Sequence, residues 1–103
     1  MEKFSFRVKS VPFPEELRGF VPGAVRKCKA GYLILMDESL SNEQYKQTLK
    51  HELSHIILGH FEISETETTD EYLRNIEWIE AETDRYADQM TDEDLERLML
   101  WAV

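Results

Sequence analysis

A chain of 103 residues, 42% hydrophobic and 32% charged, has room for one modest core and not for two. Its single cysteine, Cys28, excludes an internal disulfide framework and fits a reducing, cytoplasmic setting, and the longest apolar run, residues 32–36, is too short to span a bilayer. The net charge of −9 is uneven, with nine Lys/Arg against six Asp/Glu in residues 1–50 and three against fifteen in 51–103, a surface that argues against direct nucleic-acid binding.

The first residues, Met1-Glu2-Lys3, do not lead into the apolar segment of a signal peptide. Phe4, Phe6 and Val8 alternate with Ser5, Arg7 and Lys9, which predicts a half-buried strand. Pro12, Pro14, Gly19, Pro22 and Gly23 mark an irregular connection. Residues 24–29 and 32–37 flank Ala30-Gly31 and predict a hairpin whose second strand is largely buried, with Cys28 as a small strand residue. Together these segments predict a small antiparallel sheet of about three strands.

Ser41 followed by Gln44 is a capping-box signal for a helix running to about His60, with Gly59 helping to end it. On a helical wheel Tyr45, Leu49, Leu53, Ile56 and Ile57 gather on one side, the side assigned to the sheet. His51 and His55 lie on roughly the opposite side, beside Thr48 and Leu58. After a polar patch over 64–70, Thr69 or Asp70 can cap a second helix reaching about Met90. Its apolar stripe is Tyr72, Ile76, Ile79, Thr83, Tyr86 and Met90. Thr91 with Asp94 caps a short third helix over 92–101, whose Leu95, Leu98, Met99 and Trp101 are available for packing.

The most informative five residues are His51-Glu52-Leu53-Ser54-His55, an HExxH signature. On a helix the two histidines stand one turn apart and can hold one metal ion from the same face. Glu52 then stands where a base acting on activated water belongs. A catalytic zinc site usually takes three protein ligands, so a third is needed. His60 is nine residues from His51, about 180° round a continuing helix, and is expected to face away from the pair. The third ligand is therefore expected on the second helix. Glu80 and Asp84 lie one turn apart along one edge of its stripe, Glu82 lies along the other edge, and Glu77 sits further toward solvent. The wheel alone does not separate Glu80 from Glu82. Asp84 favours Glu80, because a carboxylate beside a ligand can orient a histidine ring through its second nitrogen.

Over roughly residues 17–90 the chain resembles the ImmA/IrrE-type metallopeptidases of phages and mobile elements. The likeness includes Leu17-Arg18-Gly19-Phe20, the strand at 32–37, Thr48-Leu49-Lys50 leading into the HELSH run and Ile56-Ile57-Leu58-Gly59-His60. It continues at Glu80-Ala81-Glu82-Thr83-Asp84-Arg85-Tyr86-Ala87. Ser54 and Thr83 stand where the family usually has glycine and alanine, and Asp88-Gln89-Met90 replaces an apolar continuation. The resemblance implies a single zincin-like α+β domain over 1–103, with the sheet packed on the HExxH helix. It also implies zinc held by His51, His55 and a glutamate matching Glu80, a gluzincin-like set, with Glu52 as catalytic base. The implied substrate is a helix-turn-helix transcriptional repressor. The competing expectation is a catalytically inactive zincin-like module that binds a regulatory protein and keeps zinc for structure. Tyr45, Tyr72, Tyr86 and His60 are the candidates for stabilising an oxyanion.

Overall fold

The computed structural model describes residues 4–17, 21–60 and 69–103, with the backbone alone over 69–77. Three strands, β1 (Phe6–Val11), β2 (Gly23–Cys28) and β3 (Gly31–Asp37), precede three helices, α1 (Asn42–Ile57), α2 (Thr69–Gln89) and α3 (Asp92–Met99). Arg18-Gly19-Phe20 and the patch residues 64–68 lie outside the described residues, as do the side chains of Tyr72, Ile76 and Glu77.

The sheet is mixed rather than antiparallel. Its order is β1-β3-β2, so β3 pairs antiparallel with β2 and parallel with β1, in a register that sets Phe6 opposite Tyr32 and Val8 opposite Ile34. The expected hairpin is present; the correction concerns β1, which pairs parallel with β3 rather than antiparallel in the sheet. The proline-rich connection between β1 and β2 is too long for a tight hairpin, which leaves the neighbour of β1 open. The most apolar strand, β3, takes the middle, where both its edges are hydrogen-bonded and Ile34 and Met36 are fully buried. The outer edge of β1 is partly covered: Ala102 forms a bridge with Phe6, and Val103 N–H donates to the Phe6 carbonyl.

Helix α1 begins with the expected capping box. Ser41 Oγ accepts from the Gln44 N–H, and Gln44 Oε1 accepts from the Ser41 N–H. Leu49, Leu53 and Ile56 sink into a core with Phe6, Ile34, Met36, Met90, Leu95 and Leu98, which fastens α1 and α3 to the sheet. Thr91 and Asp94 make the second capping box, at the start of α3. Asp92 there receives both Lys46 and Lys50 of α1, at 3.1 and 3.0 Å. Chiefly the Lys50 ammonium holds its carboxyl below the usual carboxylate range. Ser54, wholly buried, donates its hydroxyl to the Lys50 carbonyl at 2.6 Å. That internal bond satisfies the hydroxyl of a serine with no solvent exposure.

Helix α1 stops at Ile57, earlier than expected. Gly59 takes φ +72°, its N–H donates to the Ile56 carbonyl, and the His60 N–H donates to the His55 carbonyl at 3.2 Å. This is a Schellman turn, and it folds the chain back over the last helical turn. Among the described residues no helix is long and apolar enough to cross a membrane.

Removing the cap and opening the core should differ in cost. Ser41→Ala is expected to destabilise by about 1 kcal/mol, and Leu53→Ala, at a position with no exposure, by about 2–5 kcal/mol. Urea unfolding of the three proteins checks both the values and their order.

Candidate metal centre

The two histidines of α1 turn toward α2, on the side of the helix away from the sheet. His51 Nε2 and His55 Nε2 stand 3.2 Å apart. The Glu80 carboxylate straddles them, with Oε2 at 3.4 Å from His51 Nε2 and Oε1 at 3.5 Å from His55 Nε2. Donor atoms about 2.1 Å from the centre of a tetrahedron stand about 3.4 Å from one another. The two imidazole nitrogens, each facing its own Glu80 oxygen, stand near that spacing, and one donor atom from each of the three residues lies within 4.8 Å of the others. Among the described residues these three are the one group of potential ligands so gathered.

The residues around this group differ on its two sides. Asp84 Oδ1 lies 3.0 Å from His51 Nδ1, at the exposed end of the site. On the buried side His60 Nδ1 lies 2.8 Å from His55 Nδ1, and Thr83 Oγ1 stands 3.4 Å from each of those nitrogens. The expectation that His60 faces away from the pair is thus overturned. The 180° argument holds only along a continuing helix, and the Schellman turn at Gly59 ends that continuity one residue before His60. A glycine just past the last apolar position was the sequence signal for this reversal. Glu82, open as an alternative to Glu80, lies instead near His60, with Oε1 at 3.7 Å from His60 Nε2.

Burial governs the protonation of two side chains here, Glu52 and His55. It pushes the Glu52 carboxyl up to about 7, with the negative Glu80 adding to the rise and His51 opposing it. Burial also pushes the His55 imidazole down to about 4, aided by His51 and His60 and opposed by Asp84. His55 is therefore neutral near pH 7, the state in which an imidazole can ligate a metal.

Glu52 and His51 open on a cleft of about 530 Å³. Its walls are Thr48 and Gln47 of α1, Glu80, Asp84 and Asp88 of α2, and Pro22-Gly23 at the entry of β2. Gly23 is needed for that approach. A Cβ there would meet Thr48 Cγ2 at 2.7 Å and the Leu35 carbonyl at 3.2 Å, with Glu52 Cγ at 3.5 Å. A larger cavity of about 610 Å³ lies between Ile57, Tyr86, Met90, Leu98 and Trp101. Gln89, Asp94 and Arg97 also line it, but among the described residues it holds no gathered metal ligands, so the smaller cleft is the chemical one. Tyr86 lines that apolar cavity, Tyr45 packs on the core and His60 stands behind His55, so none of these three fronts the cleft. The side chain of Tyr72 lies outside the described residues.

The family model for Peptidase_M78, the IrrE N-terminal-like domain, matches residues 1–99. No curated protein and no solved structure shows significant similarity to the chain.

The two displaced pKa values predict opposite pH dependences for the metal-free protein. Between pH 4.5 and about 7 the folded chain keeps a proton on Glu52 that the unfolded chain has lost, so this group's contribution falls as pH rises. Between about 4 and 6.5 the unfolded chain protonates His55 first, so that contribution grows as pH rises. Glu52→Gln removes the first dependence alone. Urea unfolding in the presence of a chelator should find this variant more stable than wild type above pH 7, by on the order of 2 kcal/mol. The gain should vanish near pH 4.5, and a gain independent of pH would contradict the assignment.

Proposed function

We propose, from the premise that the chain belongs to the IrrE N-terminal-like peptidase family, that it is a zinc-dependent peptidase with a zincin-like site. The observation that carries this reading is the spacing of 3.2, 3.4 and 3.5 Å among His51 Nε2, His55 Nε2 and the Glu80 carboxylate, at the edge of a cleft that also holds Glu52. His51, His55 and Glu80 would hold the zinc, a gluzincin-like set with a fourth position left open. Zinc in such a site supplies Lewis acidity toward water and toward a carbonyl oxygen.

The protein's own groups do the rest. Glu52, with 7% exposure, takes the proton of the attacking water and returns it to the leaving amine. Asp84 accepts from His51 Nδ1–H, which keeps the Nε2 lone pair of that ring turned into the site. A peptide lying in the cleft would pass between Pro22-Gly23 and the α2 residues Glu80, Asp84 and Asp88, with Glu52 beneath it. As substrate we propose a helix-turn-helix regulator in the cytoplasm; this part of the reading is supported by the family pattern of the sequence.

Elemental analysis of protein purified without chelator should give one zinc per chain, and His51→Ala should abolish it. Glu52→Gln should retain the zinc and cleave a helix-turn-helix regulator encoded beside it at least about 100-fold more slowly. A zinc-replete Glu52→Gln variant with full activity would remove Glu52 from the mechanism. Wild-type protein that binds the regulator without cleaving it, and does so equally well as Glu52→Gln, would establish a binding module instead.

A further inference from the structure

His60 is 7% exposed at its side chain, and besides an edge-on ring contact with His55 at 5.1 Å it makes polar contacts. Its Nδ1 lies 2.8 Å from His55 Nδ1, so one of these nitrogens carries a hydrogen and the other a lone pair. Thr83 Oγ1 donates its own hydrogen to the Ile79 carbonyl at 2.7 Å. Toward the two rings, each 3.4 Å away, that oxygen can only accept. A neutral His55 that offers its Nε2 lone pair to a metal must carry its hydrogen on Nδ1. His60 Nδ1 is then the acceptor, and the hydrogen of His60 sits on Nε2. That nitrogen is buried and has no hydrogen-bond partner among the described residues, while Glu82 Oε1 stands 3.7 Å from it. A small rotation of the partly exposed Glu82 side chain closes the gap.

We infer that His60 is a positioning residue for the metal centre. It accepts a hydrogen bond from His55 Nδ1–H and so fixes the tautomer that leaves His55 Nε2 free to ligate, while Glu82 holds His60 from behind. This rests on the reading of His51, His55 and Glu80 as the metal site. The two ligand histidines are then oriented by different chemistry for a physical reason. His51 is backed at the exposed edge, where the Asp84 carboxylate stays solvated. His55 is backed in the interior, where an ionised carboxylate would carry a desolvation penalty. A neutral imidazole makes the same contact without that penalty and passes the polar chain outward to Glu82.

Zinc titration of wild type, His60→Leu and His60→Gln against a chromophoric chelator tests the inference. Glutamine can accept from His55 Nδ1–H through Oε1, and leucine cannot. His60→Leu is expected to bind zinc about ten- to a hundredfold more weakly, and His60→Gln to recover most of the loss. Imidazole 15N NMR of zinc-loaded wild type should show hydrogen on His55 Nδ1 and on His60 Nε2, with scalar coupling between the two Nδ1 nitrogens. Wild-type affinity in His60→Leu, equal weakening by leucine and glutamine, or hydrogen on His60 Nδ1 would overturn the inference. If His60→Leu does not fold, the glutamine variant and the spectrum decide. A chain that binds no zinc overturns the proposed function together with this inference; zinc bound equally by His60→Leu overturns the inference alone.

Discussion

Helix α1 is packed on two sides at once, and the site follows from that constraint. Leu49, Leu53 and Ile56 are driven into the sheet by burial, which fixes the rotation of the helix about its axis. With 3.6 residues per turn, the same rotation points His51 and His55 at α2. Thr83 of α2, wholly buried, then touches His55 and His60 and sets how closely the two helices approach. Glu80 lies three residues before it, just under one turn, and reaches the imidazoles from that position.

This packing also explains the electrostatics of the centre. The helix–helix contact removes water from His55 and Glu52, and desolvation is the leading cause of both displaced pKa values. The buried Glu52 carboxylate is costly beside the negative Glu80, and a cation among these groups would relieve that cost. The arrangement therefore exchanges stability of the metal-free chain for a prepared donor set, a trade that recurs at functional sites.

Local signals carried most of the fold. Ser41 with Gln44 and Thr91 with Asp94 announced helix starts, and both capping boxes are formed. The alternation of Phe6 and Val8, and the hairpin around Ala30-Gly31, also appear in place. What the residues could not convey was the order of strands. Both a sequential sheet and one with β3 in the middle satisfy the same alternation, and the choice depends on which strand is buried from both edges. His60 was misplaced for a related reason. A wheel assumes a continuing helix, and one glycine with positive φ was enough to bring a residue on the far side of the wheel back against His55. Glu80 and Glu82 were indistinguishable by periodicity; the structure sets the first against both imidazole Nε2 atoms and the second near His60.

The proposed activity requires one cation held between α1 and α2. Anomalous diffraction at the zinc edge, from crystals of the zinc-loaded protein, tests that claim most directly. One strong peak is expected within bonding distance, about 2.0–2.2 Å, of His51 Nε2, His55 Nε2 and a Glu80 carboxylate oxygen. A peak centred between His60 and Glu82, or none near the HELSH segment, would contradict it.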